Sequence, residues 1–104
     1  MFSFLLLHNR DCHVWEKFLK ELEEWLRGKQ IGGTVEVREV TSDEEARTLR
    51  FFGSPQLLVN GKDVDPMAKD MSNFHAIGCR LYFWDGKTYE QPPLPMVERA
   101  LKEG

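Results

Sequence analysis

The chain has 104 residues, with 14 Lys or Arg against 17 Asp or Glu and a net charge of −3 at pH 7. This balance argues against a nucleic-acid binder that neutralises many phosphates, because that mode of binding needs a basic face. No stretch supplies the roughly 20 apolar residues of a membrane span. A chain of this length is expected to form one domain, covering residues 1–104. Two cysteines are too few for a secreted disulfide scaffold, so we expect a reducing, cytoplasmic setting.

The first predicted elements are a buried strand and an amphipathic helix. Residues 2–7 are continuously apolar, and such a short apolar run is typical of a strand buried on both faces. Between Cys12 and Arg27 the apolar side chains recur at spacings of three and four, which predicts a helix. Asp11 is a candidate cap for this helix, so Cys12 is expected in its first turn.

A peripheral strand and a short helix follow. Residues 34–40 alternate between apolar and charged side chains, which predicts a strand with one face in water. Ser42 and Glu45 have the spacing of a capping box at a helix start. The helix they begin is predicted to include Phe52 and to end at Gly53.

Two hairpins and a last helix complete the chain. The predicted strand pairs are 56–59 with 62–64, joined by Asn60-Gly61, and 81–84 with 87–89, joined by Asp85-Gly86. Residues 65–78 show no firm period and receive no assignment. A proline-rich break precedes a helix predicted at 96–102.

The predicted order, β-α-β-α-β-β-α with an extra hairpin before the last helix, indicates an α/β fold with a mixed sheet flanked by helices. This arrangement resembles the thioredoxin-like superfamily in its short, glutaredoxin-like form. Four features carry the resemblance: the cysteine at the start of the first helix, Gly53-Ser54-Pro55 where the family has its cis-proline, the run from Pro55 to Gly61, and the terminal helix. Residues 1–64 fit it well and the last ten residues loosely, whereas 65–93 look like an addition.

The chain departs from the family at the active-site motif. Members that catalyse dithiol exchange carry Cys-x-x-Cys, whereas this chain has Cys12-His13-Val14-Trp15. A tryptophan therefore stands where the second cysteine of the motif would be. The ordinary disulfide cycle within such a motif is excluded, because the motif has only one thiol.

The resemblance implies a site built on Cys12 and Pro55. A thiolate at a helix start would be stabilised by unpaired backbone N–H groups and by the helix dipole, which favours Cys12 as a nucleophile. The resemblance also implies a cis Ser54–Pro55 bond, beside which family members hold an extended peptide or glutathione by main-chain bonds. Trp15 is a candidate anchor for a bound partner.

Cys79 is a candidate resolving thiol for Cys12. The hairpin at Asn60-Gly61 would return the chain toward the Cys12 end of the sheet, and the segment that contains Cys79 follows it. A buried, inert cysteine at the start of an apolar strand is the alternative. The cysteines and three histidines lack paired ligand spacings, so no metal site is predicted. Most of the aromatic side chains, a set that includes Phe83, are expected to pack in the core, and Trp15 is the exception.

Two functions follow as expectations. The first is a single-thiol thiol–disulfide oxidoreductase, in which the Cys12 thiolate attacks a protein disulfide or a glutathione adduct and a second thiol resolves the mixed disulfide. The second thiol would come from glutathione as co-substrate, from a partner, or from Cys79, and no other cofactor is implied. The alternative is a non-catalytic peptide- or protein-binding module of the same fold. Neither nucleic acid nor a membrane is an expected partner, and the oligomeric state is not predicted.

Overall fold

A computed structural model describes residues 2–103 of the chain. The elements, in chain order, are β1 (Phe2–His8), α1 (Val14–Gly28), β2 (Gly33–Glu39), α2 (Asp43–Leu49), β3 (Gln56–Val59), β4 (Lys62–Asp63), a 3₁₀ helix (Pro66–Asp70), β5 (Tyr82–Trp84), β6 (Lys87–Tyr89) and α3 (Leu94–Glu103). This order confirms the predicted mixed α/β class. None of the helices within residues 2–103 has the length and apolar character needed to cross a bilayer.

Four of the strands form one mixed sheet in the order β2-β1-β3-β4. The central strand β1 pairs in parallel with β2, at an edge, and antiparallel with β3. The hairpin from β3 to β4 turns at Asn60 and Gly61, whose φ angles of 51° and 83° are those of the predicted Asn-Gly turn. β5 and β6 form a separate hairpin, with Asp85 and Gly86 in its turn.

Helices cover both faces of the sheet because successive side chains of a strand point to opposite sides. On one face, Phe4 and Leu6 of β1 belong to a buried cluster with side chains of α1 and α3. On the other face, Leu7 belongs to a second cluster with Ala46 of α2 and with Phe51 just after it. The continuous apolar run of β1 is thus explained by burial on both sides.

The second helix is shorter than predicted. Ser42 caps it as expected, since its Oγ accepts a hydrogen bond from the backbone N–H of Glu45 at 3.1 Å. The helix ends at Leu49, however, because Arg50 adopts a left-handed conformation with φ 57°. The N–H of Phe51 then donates to the carbonyl of Ala46 at 2.8 Å, which closes the helix and leaves Phe52 outside it.

Phe83 is the aromatic residue for which the predicted core position is wrong. In the β5–β6 hairpin, Tyr82 is fully buried, and the neighbouring Phe83 therefore points outward with 60% of its surface exposed. Because both residues are aromatic, hydropathy alone does not distinguish the buried position from the exposed one.

Gly53 offers a test of the packing that holds the chain before β3. Its φ is +151°, and an added Cβ would lie 2.9 Å from Cβ and 3.1 Å from Cα of Arg80. We expect Gly53→Ala to lower the free energy of unfolding by about 3 kcal/mol, since it combines backbone strain with a clash against main-chain atoms. Urea unfolding followed by circular dichroism measures the change.

Gly28→Ala is the matched control, because nothing lies within 4 Å of its added Cβ. It should change the free energy of unfolding by less than about 1 kcal/mol. Equal stability of the two variants would show that the contact between Gly53 and Arg80 is not tight.

Candidate functional site

Three chain segments meet at one end of the sheet. β1 and β3 are antiparallel, with Leu7 opposite Gln56, so the end of β1 lies beside the start of β3. Cys12 follows β1 closely, and the Ser54–Pro55 peptide bond, which immediately precedes β3, is cis, the isomer that the resemblance implies. The third segment contains Cys79.

A short parallel bridge joins Ser54 to Cys79. The N–H of Ser54 donates to the carbonyl of Gly78 at 3.2 Å, and the N–H of Arg80 donates to the carbonyl of Ser54 at 3.0 Å. Both main-chain groups of Ser54 are therefore occupied by this chain's own residues. The Ser54 Oγ is buried and has no hydrogen-bond partner among the described residues.

Asn9, which is almost fully buried, ties the two cysteine-containing segments together. Its Oδ1 accepts hydrogen bonds from the backbone N–H groups of Asp11 and Cys12, at 3.2 and 3.1 Å. Its Nδ2 donates to the carbonyl of Gly78 at 2.8 Å. One amide thus fixes the backbone at Cys12 and at the residue before Cys79.

The position of Cys12 differs from the prediction, and the side chain of Asn9 is the reason. α1 begins at Val14, with His13 as its N-cap residue and no side-chain cap, so Cys12 precedes the helix instead of lying in its first turn. The turn held by Asn9 takes up residues 10–12, and Asp11 donates to that turn through its N–H instead of capping the helix. The predicted contribution of first-turn N–H groups to the reactivity of Cys12 therefore does not apply in this form.

The two cysteines are neighbours with opposite accessibility. Cys12 is only 3% exposed, whereas Cys79 is exposed, and both are free thiols. A hydrogen-bonding interaction with the Cys12 side chain raises the pKa of Cys79 to about 11, with further contributions from burial and from electrostatic interactions with Cys12, Glu90 and Asp11. Cys79 therefore keeps its proton at neutral pH, and its thiolate is scarce.

Arg80 and Tyr82 anchor the segment that follows Cys79. The guanidinium of Arg80 is buried and contacts both carboxylate oxygens of Asp63, at 2.7 and 2.8 Å, with Asp65 at 3.8 Å. The guanidinium also lies over the rings of Phe52 and Tyr82, at 4.1 and 4.5 Å from their centroids. The Tyr82 hydroxyl donates to the carbonyl of Pro55, and burial raises its pKa, so it stays protonated.

Trp15 does not extend into solvent as a free anchor. Its ring is stacked on that of the buried His8, with a centroid separation of 3.9 Å and an interplanar angle of 13°. It also packs against the core cluster formed with α1 and α3. Trp15 is thus half-buried, and its ring serves mainly to pack against His8 and the core.

The structure brings together Cys12, Ser54, Pro55 and Cys79, and it adds two residues that sequence reasoning missed. The role of Asn9 could have been predicted, since an asparagine just after a strand is typical of a side-chain-capped turn. No local sequence pattern predicts the buried ion pair of Arg80, because its carboxylate partners, Asp63 and Asp65, lie on β4 and just beyond it. Among residues 2–103, no three His, Cys, Asp or Glu side chains converge in a way suited to a metal ion.

Comparison of the chain with protein-family models, with curated proteins and with solved structures finds no match. The site places two thiols close enough to interact, one buried and one accessible, on a backbone fixed by Asn9 and Ser54.

The raised pKa of Cys79 gives a prediction about its alkylation. Replacing Cys12 with serine removes the main cause of the shift, so the pKa of Cys79 should fall from about 11 toward its ordinary value of 9.0. At pH 8 the thiolate fraction, and with it the rate of iodoacetamide labelling at Cys79, should rise roughly tenfold or more. Peptide mass mapping against time measures that rate.

The control for this experiment is the same labelling in concentrated urea. There the wild-type and Cys12→Ser chains should label Cys79 at the same rate, because the two side chains are no longer neighbours. A folded Cys12→Ser variant that labels no faster than wild type would contradict the interaction between the thiols.

Proposed function

We propose that the chain is a thioredoxin-like thiol–disulfide redox protein that uses Cys12 and Cys79 as its reactive pair. The observation that carries the proposal is the proximity of the two thiols beside the cis Ser54–Pro55 bond. The order of helices and strands supports the thioredoxin-like part of the proposal. In this arrangement Cys79 supplies the second thiol that the Cys-x-x-Trp sequence lacks.

The reaction is a reversible, two-electron exchange with a partner dithiol. A partner thiolate attacks one sulfur of the Cys12–Cys79 disulfide, the S–S bond breaks, and the other cysteine leaves as a thiolate. The partner's second thiolate then attacks its own sulfur in the mixed disulfide, which releases the protein cysteine. The partner is oxidised to a disulfide and the pair is reduced to two thiols. The reverse sequence, which reduces a partner disulfide, needs the Cys79 thiolate and is slowed by the raised pKa of Cys79.

Accessibility decides which sulfur bonds to the partner. Cys12 is buried and Cys79 is exposed, so an external thiolate reaches the Cys79 sulfur. Cys12 is then the leaving group in reduction and the resolving thiolate in oxidation. The proposal therefore exchanges the roles that the sequence suggested, where Cys12 was the attacking thiol and Cys79 the resolving one.

The alternative of a binding module without redox turnover has less support. A peptide groove at Pro55 would use the main-chain groups of Ser54, which already pair with Gly78 and Arg80. Trp15, the candidate anchor, is stacked on His8.

Mass mapping of the oxidised protein tests the proposal. After mild oxidation with diamide, the intact monomer should lose the mass of two hydrogen atoms, and tryptic peptides 11–17 and 70–80 should be joined. Cys12→Ser and Cys79→Ser are matched controls that should form no intramolecular bond. Absence of the linked peptide from folded, fully oxidised wild-type protein would refute the proposed pair.

Asn9→Asp tests whether the amide positions the two thiols. Aspartate keeps the Oδ1 acceptor for the Cys12 N–H but loses the Nδ2 donor, so the hydrogen bond that joins this side chain to the Gly78 carbonyl is lost. We expect the equilibrium constant for disulfide formation, measured in a dithiothreitol redox buffer, to fall about tenfold.

Asn60→Asp is the control, because Asn60 lies in the exposed β3–β4 turn and its Oδ1 accepts from the Ser3 N–H, a bond that aspartate retains. Its equilibrium constant should match that of wild type. If both variants behave like wild type while remaining folded by circular dichroism, Asn9 has no positioning role.

A further inference from the structure

The exposed side of the segment around Cys79 is apolar. Ile77, Leu81 and Phe83 are 66%, 52% and 60% exposed, and Cys79 is exposed between the first two. Arg80 and Tyr82, at the alternate positions, point inward and are buried. We call Ile77, Leu81 and Phe83 the apolar stripe. Large exposed apolar side chains grouped in this way mark an interaction surface more often than isolated ones do.

The charges beside Cys79 are negative. The carboxylates of Glu90 and Asp11 both contribute to the raised pKa of Cys79. Glu90 also lines a cleft of about 550 Å³ between the start of α1 and the segment after β6. Lys17 on the same cleft forms an ion pair with Glu21 at 3.9 Å, which reduces its effect on an incoming anion.

The main chain of Ser54 is not available to a partner. Its N–H and carbonyl are bonded to Gly78 and Arg80, and the latter residue is held by its ion pair with Asp63. A partner cysteine must therefore reach the Cys79 sulfur from the outer side of the segment, where it meets the apolar stripe.

From these observations we propose that the apolar stripe is the docking surface for a protein partner whose reactive cysteine lies in an extended segment with apolar and basic side chains. The inference rests on the proposed function and names its substrate class. Apolar side chains of the partner would cover Leu81 and Phe83, and its Lys or Arg would face Glu90 and Asp11. Glutathione is disfavoured, because it has a net negative charge and no large apolar side chain.

Reduction of the isolated Cys12–Cys79 disulfide by synthetic thiol peptides tests this surface. Four reductants are compared: three peptides of equal length and glutathione. In the apolar basic peptide the cysteine is flanked by Leu, Phe and Lys, in the acidic peptide by Leu, Phe and Glu, and in the polar basic peptide by Ser and Lys. Each rate is divided by the thiolate concentration and by the rate of the same thiol with a small reference disulfide. The corrected rate of the apolar basic peptide should exceed each of the others about tenfold, and its advantage over the acidic peptide should shrink in high salt.

Substitutions identify the residues responsible. Leu81→Ser and Phe83→Ser should each slow the apolar peptides severalfold without slowing glutathione, whereas Val37→Ser on β2, an exposed position at the far edge of the sheet, should change nothing. Glu90→Gln should reduce the preference for the basic over the acidic peptide by about threefold. Glu24→Gln, on the exposed side of α1, is its control.

The outcomes separate the two proposals. If glutathione and the apolar basic peptide react equally, or if Leu81→Ser and Phe83→Ser change neither rate, the docking surface is refuted while the thiol pair stands. If no disulfide forms, the proposed function fails, and the surface is tested by titrating the reduced protein with the same peptides carrying Ser for Cys. A dimer in solution that both stripe substitutions dissociate would identify a second copy as the occupant and overturn the inference.

Discussion

The buried guanidinium of Arg80 is the constraint on which the candidate site depends. A charge removed from water needs partners of good geometry, and Arg80 obtains them from both carboxylate oxygens of Asp63 and from the rings of Phe52 and Tyr82. These partners come from β4, from the turn after α2 and from β5. The ion pair therefore holds the segment around Arg80 against β4, and it also holds Cys79, the residue immediately before Arg80.

The remaining contacts connect this position to the segment that contains Cys12. Ser54 pairs with the residues on either side of Cys79, and Asn9 connects Gly78 with the backbone of Cys12. In the resemblance that the sequence suggested, an external peptide occupies the main chain before the cis-proline. Here Gly78 and Arg80 of the same chain bond the main chain of Ser54, which brings Cys79 beside Pro55. In the proposed pair, Cys79 is the second thiol that the Cys-x-x-Trp sequence lacks.

Local patterns predicted most of the elements, because each depends on residues that are close in sequence. The apolar run of β1, the spacing of three and four in α1, the Ser42 cap and the Asn60-Gly61 turn are of this kind. The helix α1 begins later than its sequence pattern predicts, because Asn9, which precedes the helix, holds residues 10–12 in a turn. A position of Cys79 next to Cys12 was only one of two alternatives that the sequence left open. The contacts that place Cys79 come from Asn9 just after β1, Ser54 just before β3 and Asp63 on β4, and no local pattern links these residues to its segment.

The separation of the two cysteines in sequence links oxidation to folding. A bond between Cys12 and Cys79 would close a loop that includes α1, β2, α2, β3 and β4, far longer than the loop of a Cys-x-x-Cys disulfide. A disulfide that closes such a loop stabilises the fold by about 4 kcal/mol, because it restricts the conformations of the unfolded chain. Thermodynamic linkage makes the effect reciprocal, because the folded protein favours the disulfide by as much as the disulfide favours the fold. The oxidised chain would therefore unfold at higher temperature, and a partner that reduces it would also loosen the molecule.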